Sequence, residues 1–304
     1  MMEKLTYKGW PNCFRLFNET IELIVTTDVG PRIVHLGFIN GENLFYLVPG
    51  QLGRTGSREW TIYGGHRLWH APEAMPRSYA PDNDRVEYTM TGDGICMVQP
   101  MEPDTGIVKE MDISLSPHKN EVKVTHRLTN RNCWDVELSV WPISMLAPGG
   151  VAIIPQEPYG EGNDYLLPGR SLALWHYTRM NDPRWVWGDK YILAKQNSLY
   201  PSEQKIGVTN KQGWTAYYLH GQVLIKRFAF HADALYPDYN CNNETYINRD
   251  YLEIETLSPL TRLAPGQTVV HTEHWLLERA TMDENEASLD ENILPLVDAF
   301  RINE

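Results

Sequence analysis

The sequence has few cysteines, and they form no pattern that would bind a metal. Cys13, Cys96, Cys133 and Cys241 lie far apart, without a CxxC pair. Zinc ribbons and small disulfide-stabilised domains need closer spacing. The N-terminal segment also lacks the apolar stretch of a secretory signal. Together these absences predict a reducing, cytoplasmic setting.

The chain is also poor in positive charge. It has 27 Lys and Arg against 39 Asp and Glu, which gives a formal net charge of −12. A surface of this sign repels the phosphates of nucleic acids and of anionic lipids. No run of residues has the length and apolar character of a membrane-spanning helix. We therefore expect neither nucleic acid nor a membrane as a partner.

Helical patterns are scarce, and period-two alternation dominates the 304 residues. Strands are expected in many short segments, among them 22–27, 32–39, 107–115, 121–129, 223–228 and 251–257. Long Gly-, Pro- and Asn-rich loops are expected at 49–62, 71–85, 145–170 and 231–248. Only residues 291–302 show helical spacing of apolar side chains, with Asn292 as the N-cap. We predict a single all-β domain over residues 1–304 that ends in this packing helix.

The best-marked chemical feature is the segment 251–257. Alternate residues of a strand share a face, so Glu253 and Glu255 should point the same way, about 7 Å apart. Burying two carboxylates without partners is very costly, so this face meets either solvent or a polar cleft. Crowded carboxyls raise one another's pKa, which suits a general base. We interpret the pair as part of a cleft.

A second feature is the glycine-rich segment 64–70, with its two histidines. Gly64 and Gly65 allow another backbone to approach closely. His66 and His70 share a face in a strand or a helix, because a spacing of four fits both periods. They could bind a metal or form a hydrogen-bonding wall of a sugar site. Neither an HExxH motif nor a second dense ligand cluster accompanies them, so we predict no metal and no other cofactor.

Further candidate binding residues are polar or aromatic. Lys226, Asp238 and Glu244 precede the carboxylate strand, although each alone is more often an ordinary strand or loop residue. The chain has 10 Trp and 16 Tyr, and flat faces of this kind stack well on sugar rings. Arg67 and Trp69 would lie opposite His66 and His70 if that segment is a strand.

With these residues in view, the chain resembles the galactose mutarotase-like superfamily, which includes aldose 1-epimerases and hexose-phosphate epimerases. The similar segments follow the family's order over about residues 20 to 278. They are Val29-Gly30-Pro31-Arg32-Ile33-Val34, Asn43-Leu44-Phe45-Tyr46, Gly64-Gly65-His66-Arg67-Leu68-Trp69, Thr125-His126-Arg127-Leu128-Thr129-Asn130 and Leu252-Glu253-Ile254-Glu255-Thr256, with the turn Leu263-Ala264-Pro265-Gly266. The resemblance implies a β-supersandwich that binds a hexose in an open groove.

The resemblance also implies roles for individual residues. In the epimerases a C-terminal glutamate takes the proton from the anomeric hydroxyl, and this role maps onto Glu255. A central histidine protonates the ring oxygen, but Trp141 stands near that position here. His66, His70 or His176 could then supply the acid. The expected substrate-binding residues are Arg32, Arg67, Trp69, Lys226, Asp238, Glu244 and Glu253.

Three functions are compatible with these patterns. The favoured one is an aldose 1-epimerase-like isomerase whose partner is a small-molecule carbohydrate. Trp141 in place of a histidine is compatible instead with a non-catalytic sugar-binding or sensing domain. A lyase or hydrolase on the same scaffold, with a metal at His66 and His70, is the third.

Overall fold

The computed structural model describes residues 1–162 and 166–301, and strands dominate both ranges. The first ten are β1 (Met2–Tyr7), β2 (Trp10–Phe17), β3 (Ile21–Thr26), β4 (Arg32–Phe38), β5 (His66–Ala71), β6 (Glu87–Met90), β7 (Gly94–Val98), β8 (Ile107–Leu115), β9 (Glu121–Asn130) and β10 (Val136–Leu146). The others are β11 (Val151–Pro155), β12 (Leu172–Leu174), β13 (Trp185–Trp187), β14 (Tyr191–Lys195), β15 (Gln204–Val208), β16 (Trp214–Leu219), β17 (Gln222–Phe228), β18 (Asn243–Ile247), β19 (Leu252–Thr256), β20 (Thr261–Leu263) and β21 (Thr268–Arg279).

Helices are short and few in these ranges. The α-helices are α1 (Pro237–Asn240), a four-residue turn in which Asp238 and Tyr239 have positive φ values, α2 (Glu286–Asn292) and α3 (Leu294–Ala299). Two 3-10 turns lie at Pro49–Gln51 and Arg77–Tyr79. No helix of the described residues is long and apolar enough to cross a membrane.

The strands form two antiparallel sheets. The first has the order β1-β2-β3-β4-β5-β10-β19-β18-β15-β12, with β20 paired to β10. The second has the order β13-β14-β11-β16-β17-β21-β9-β8-β7-β6. Apolar side chains from both sheets interleave in one core, for example Ile33 and Ile254 from the first and Val124 and Leu224 from the second. The predicted all-β sandwich is therefore confirmed.

Strand β19 lies in the middle of the first sheet, between β10 and β18. Leu252 and Ile254 belong to the core between the sheets. Glu253 and Glu255 point to the opposite face, as the alternation predicted. Both faces of this strand are buried, so its two carboxylates lie in an enclosed polar environment.

The glycine pair before β5 brings three backbones together. Gly64 and Gly65 have φ values of 98° and 77°. A Cβ at Gly64 would lie 2.2 Å from the carbonyl oxygen of Tyr46, and one at Gly65 would lie 2.2 Å from that of Ile33. This confirms the predicted close approach, and it fixes where β5 enters the sheet.

The C-terminal segment packs on the outer face of the second sheet. Ile293, Val297 and Phe300 join a cluster there with residues of β11, β14, β16 and β17. The predicted N-cap is wrong, because Asn292 is the last residue of α2 rather than the cap of the next helix. Asn285 caps α2 instead, accepting a hydrogen bond from the Ser288 amide.

Candidate functional site

The outer face of the first sheet carries a cleft of about 450 Å³, which is within the size range of small-molecule sites. Eight aromatic side chains line it: Trp60, Trp69, Tyr79, Trp141, Trp175, Tyr177, Tyr246 and Tyr251. Six charged side chains join them: Arg67, Glu73, Glu203, Lys205, Glu253 and Glu255. Four acidic and two basic groups therefore face a largely aromatic enclosure.

The register of neighbouring strands puts the central residues of this cleft on one face. Trp69 of β5 lies opposite Trp141 of β10. Ile143 of β10 lies opposite Glu255, which lies opposite Glu244 on its other side. Directly opposed residues of antiparallel strands share a face. The floor of the cleft is thus set by strand pairing, and the loops supply its rim.

Glu255 lies at the base of the cleft with one oxygen occupied and one free. Its Oε2 accepts a hydrogen bond of 2.7 Å from Trp141 Nε1 and one of 2.9 Å from Lys205 Nζ. The residue is only 1% exposed, and its Oε1 has no hydrogen-bond partner among the described residues. A bound molecule or a water molecule could supply the donor that this oxygen lacks.

Lys205 links two carboxylates from neighbouring strands. Its Nζ lies 2.7 Å from Glu244 Oε2 in addition to its bond to Glu255. It also lies 4.9 Å and 4.7 Å from the ring centres of Trp141 and Trp175, a cation–π arrangement. Burial by itself would lower the pKa of Lys205, but the two carboxylates outweigh it and hold the pKa well above its usual value.

Glu244 and Asp238 lie behind this lysine. Burial raises the pKa of Glu244 well above its usual value; Lys205 opposes the rise, and the charges of Glu255 and Asp238 add to it. Burial also raises the pKa of Asp238, which comes from α1. These two predicted binding residues adjoin the cleft without lining it. Both carboxyl groups interact with Lys205 and Glu255 from just outside the cleft.

Glu253 and Arg67 form a second contact between an acidic and a basic side chain of the cleft. Glu253 Oε1 lies 3.2 Å from Arg67 Nη2, and the guanidinium lies 4.8 Å from the ring centre of Trp69. Burial raises the pKa of Glu253 to about 7, with Arg67 opposing the rise and Glu255 adding to it. The structure therefore places four of the candidate site residues, Arg67, Trp69, Glu253 and Glu255, in the lining of one cleft.

The histidines of β5 face the other way. Alternate residues of a strand face opposite sides, and Arg67 and Trp69 of β5 face the cleft. His66 and His70 therefore point the other way, between the two sheets. His176 is exposed in the loop between Trp175 and Tyr177 and does not line the cleft. The expectation that one of these histidines shares a cleft with Glu255 is wrong. No histidine is among the described residues that line it.

His66 and His70 also do not form a pair with each other. His70 Nε2 lies 3.5 Å from Glu102, whose other oxygen pairs with Lys109. His66 instead groups with His126 and Glu273, whose potential ligand atoms all lie within 4.8 Å of one another. Among the described residues, the group whose geometry could hold a metal is this one, and not the pair His66 and His70 of the metal-dependent alternative.

A lysine already neutralises that second group. Lys226 Nζ lies 2.7 Å from Glu273 Oε1, and both side chains are fully buried. Thr256 donates to the same oxygen at 2.6 Å, and Trp275 donates to the other at 2.9 Å. The cationic position is therefore filled by an ammonium group, and Glu273 has little capacity left for a metal.

The hydrogen bonds around the two histidines have a defined direction. His126 Nδ1 lies 3.1 Å from the carbonyl oxygen of His271, so it must donate. Its Nε2 then accepts from His66 Nε2 at 2.8 Å, and His66 Nδ1 accepts from the Ser144 hydroxyl at 2.8 Å. Burial lowers the pKa of both histidines, to about 4 for His126, in keeping with neutral rings. We call Ser144, Lys226, Glu273 and these two histidines the inter-sheet network.

Two other predicted binding residues are structural in position. Lys226 belongs to the inter-sheet network and is fully buried. Arg32 is buried as well, and it donates to the carbonyl oxygens of Ile62 and Gly64 while pairing with Asp82 at 2.7 Å. Neither side chain lines the cleft. Arg32 instead holds the loop that carries Trp60 over the site.

Sequence reasoning missed several residues that the structure brings into the cleft. They are Trp60, Glu73, Tyr79, Trp175, Tyr177, Glu203, Lys205 and Tyr246. Lys205 gave a weak signal, since it begins the short apolar segment Lys205-Ile206-Gly207-Val208, which reads as a strand. A lysine buried in such a strand would need a carboxylate partner. The others come from loops or from strands whose pairing the sequence does not specify.

Comparison with known proteins bears on the fold. A proposed aldose 1-epimerase of Klebsiella pneumoniae aligns with a TM-score of 0.61 and 11% identity, covering 95% of this chain and 84% of that one. The Slr1438 protein of Synechocystis aligns with a TM-score of 0.59 and 12% identity, covering 91% of this chain and 99% of that one. A galactose mutarotase-like protein of Lactobacillus casei aligns with a TM-score of 0.57 and 9% identity, covering 87% of this chain and 99% of that one.

No protein-family model and no curated protein matches the sequence. At such low identities, likeness to solved structures establishes the fold alone. It confirms that this chain has the galactose mutarotase-like sandwich predicted from the sequence.

Proposed function

We propose that this protein is an aldose 1-epimerase-like enzyme that binds a pyranose sugar in the cleft and uses Glu255 as its general base. The observation that carries the proposal is the free Oε1 of Glu255. Trp141 and Lys205 hold the other oxygen, so the carboxylate is fixed in orientation while one lone-pair face stays open. A positioned carboxylate of this kind is what proton abstraction from a hydroxyl requires.

The lining of the cleft suits a sugar. Tyr177 and Tyr246 offer flat faces for the C–H groups of a pyranose ring. Glu73 and Glu203 at the rim offer acceptors for its hydroxyls. Trp69 and Trp141 already hold the cations of Arg67 and Lys205 near their rings, so these two indoles help to orient the polar groups.

The reaction then needs proton transfers and the cleavage and re-formation of one bond. Glu255 Oε1 takes the proton of the anomeric hydroxyl, the C1–O5 bond breaks, and its electron pair goes to O5, which takes a proton from an acid of the cleft or from water. The resulting open-chain aldehyde rotates about C1–C2. Attack of O5 on the other face of C1 closes the ring, O5 returns its proton to the same acid or to water, and Glu255 returns its proton to O1. The products are the two anomers of one sugar.

Replacement of Glu255 by glutamine should lower the rate of anomer interconversion about 10²–10⁴-fold, because the amide keeps an acceptor for Trp141 and Lys205 but cannot take a proton. The measurement is polarimetry or proton NMR on a panel of freshly dissolved free aldoses. Glu87→Gln, an exposed substitution on β6, is the matched control. An E255Q protein that keeps the wild-type rate would contradict the role of Glu255.

A second candidate is a non-catalytic sugar-binding domain. It is favoured by the contact between Trp141 and Glu255 and by the lack of a histidine among the described lining residues. This alternative predicts saturable binding in an NMR titration, while anomer interconversion stays at the rate of buffer alone. Turnover above that rate for any sugar of the panel would reject it.

A further inference from the structure

We propose that Glu253 is the proton donor of this site, delivering its proton to the ring oxygen while Glu255 takes one from the anomeric hydroxyl. The inference rests on the proposed function and adds the residue that completes it. The argument uses the placement of the two carboxyl groups, the unmet hydrogen bonding of Glu253 and the properties of the other donors in the cleft.

The placement of the two side chains fits one reacting centre. Glu253 and Glu255 are alternate residues of β19, about 7 Å apart along the strand, and both line the cleft. In a pyranose, the anomeric oxygen and the ring oxygen are both bonded to C1. Two carboxyls on one strand face can therefore approach neighbouring oxygens of the same ring from one side.

Glu253 is also incompletely satisfied. It is 7% exposed, and its Oε1 has no hydrogen bond among the described residues, although Arg67 lies 3.2 Å away. A buried carboxyl oxygen in this condition needs a partner. The hydroxyl groups or the ring oxygen of a bound sugar would supply one.

The other proton-bearing groups of the cleft are poor acids. Burial raises the pKa of Tyr79 to about 12, and it also raises the pKa of Tyr177, Tyr246 and Tyr251. The carboxylates beside Lys205 hold its pKa well above the usual value. Each of these groups keeps its proton too tightly for efficient transfer near neutral pH. Compared with these tyrosines and Lys205, Glu253 is the side chain whose proton can leave.

The charges around Glu253 support a protonated carboxyl near neutral pH. Burial raises its pKa to about 7. Arg67 of β5 and Lys205 of β15 oppose this rise, and Glu255 of the same strand adds to it. Its neighbours among the described residues also include Tyr251, Tyr246 of β18, and Met145 of β10, which lies opposite Glu253 and does not titrate.

The proton balance closes without any further reactant. On ring opening, Glu253 gives its proton to O5 as the C1–O5 bond breaks, and Glu255 receives the proton of O1. On ring closure, O5 returns a proton to Glu253 as it attacks C1, and Glu255 returns its proton to O1. Both carboxyl groups regain their starting states after each interconversion.

The test combines a pH–rate profile with the variant Glu253→Gln. For the wild-type enzyme, kcat should fall as the pH rises through about 7, because only protonated Glu253 can donate. Glutamine is neutral, like the protonated carboxyl, and of similar size, so substrate affinity should change little. The value of kcat should fall about 10²–10³-fold, and the alkaline decline should disappear. Glu87→Gln again serves as the control.

The outcomes separate this inference from the proposed function. If E255Q is inactive but E253Q keeps the wild-type kcat, the role of Glu253 is overturned and that of Glu255 stands. If E253Q fails to fold, a wild-type profile with no decline from pH 6 to 8 would overturn the inference by itself. If the wild-type protein interconverts no anomer of the panel, the proposed function falls and takes this inference with it.

Discussion

Replacement of Lys226 by methionine should lower the free energy of unfolding by about 3–5 kcal/mol. The ammonium lies 2.7 Å from Glu273 Oε1, and both residues are fully buried between the sheets. Burial would raise the pKa of Glu273, but Lys226 and the nearby histidines outweigh it and hold the pKa well below the usual value, so the carboxylate is ionised. Without the lysine, this charge would be left uncompensated. Urea denaturation at pH 7 gives the measurement.

Two further variants show whether the charge is responsible. Lys123→Met removes an exposed lysine of β9 and should change stability by less than about 0.5 kcal/mol. The double variant Lys226→Met with Glu273→Gln should regain a large part of the loss, because the remaining buried group is then neutral. A single K226M variant as stable as K123M would show that the ion pair is not essential.

Acidification from pH 7 to pH 4 should unfold the protein. Burial lowers the pKa of His35 and His126 to about 4 and that of His271 to about 3, whereas the unfolded chain titrates near 6.5. Between these values the unfolded state binds more protons, so stability falls as the pH falls below about 6.5. Protonation linked to each of these three histidines lowers the free energy of unfolding by roughly 3 kcal/mol at pH 4. Together they approach the whole stability of a typical domain, which is about 5–15 kcal/mol.

Buried carboxyls act in the opposite direction. Burial raises the pKa of Glu253 to about 7, so its carboxyl group takes up a proton at a higher pH in the folded state than in the unfolded state. Acidification from pH 7 toward pH 4.5 therefore raises the free energy of unfolding by roughly 3 kcal/mol. Glu253 offsets about one of the three histidines. Glu244 and Asp238, whose pKa values burial also raises, add to this offset, whereas His66, whose pKa burial lowers well below its usual value, adds to the effect of the histidines. The expected result is a cooperative transition between pH 6 and 4, followed by circular dichroism. Full retention of the folded signal at pH 4 would contradict it.

A histidine variant tests the source of this acid sensitivity. His35→Gln should reduce the slope of unfolding free energy against pH, between pH 6 and 5, by up to about 1.4 kcal/mol per pH unit. His118→Gln removes an exposed histidine and is the matched control. Equal slopes for H35Q and the wild type would assign the sensitivity to other groups.

Much of the fold could be predicted because the strands repeat every two residues. Segment 251–257 is the clearest case, since Leu252 and Ile254 require an apolar face and leave Glu253 and Glu255 on the other. The same rule correctly separated His66 and His70 from Arg67 and Trp69 within one strand. The rule could not decide which face of β5 lies on the same side of the sheet as Glu255. That depends on the register between strands distant in sequence.

Strand β18 shows why other parts of the site were missed. It lies in the segment 231–248, which the sequence indicates as a loop because Asn243, Glu244 and Thr245 are polar. In the structure all three are buried; Asn243 donates to the carbonyl oxygen of Glu255, and Glu244 pairs with Lys205 beside the cleft. A functional strand of this kind has no apolar face to give a pattern. Its partner Lys205 is 39 positions away from Glu244, so no local spacing joins them.

Strand β19 places a limit on how this sequence can vary. Its outward side chains are the two cleft carboxylates, and its inward Thr256 donates to Glu273 in the opposite direction. Inserting or deleting one residue inside the strand would exchange these faces, turning a glutamate into the inter-sheet network and a core residue toward the cleft. Substitutions can therefore accumulate at single positions, whereas a change of length cannot. In any set of natural relatives that keep both features, the interval between these residues should be constant.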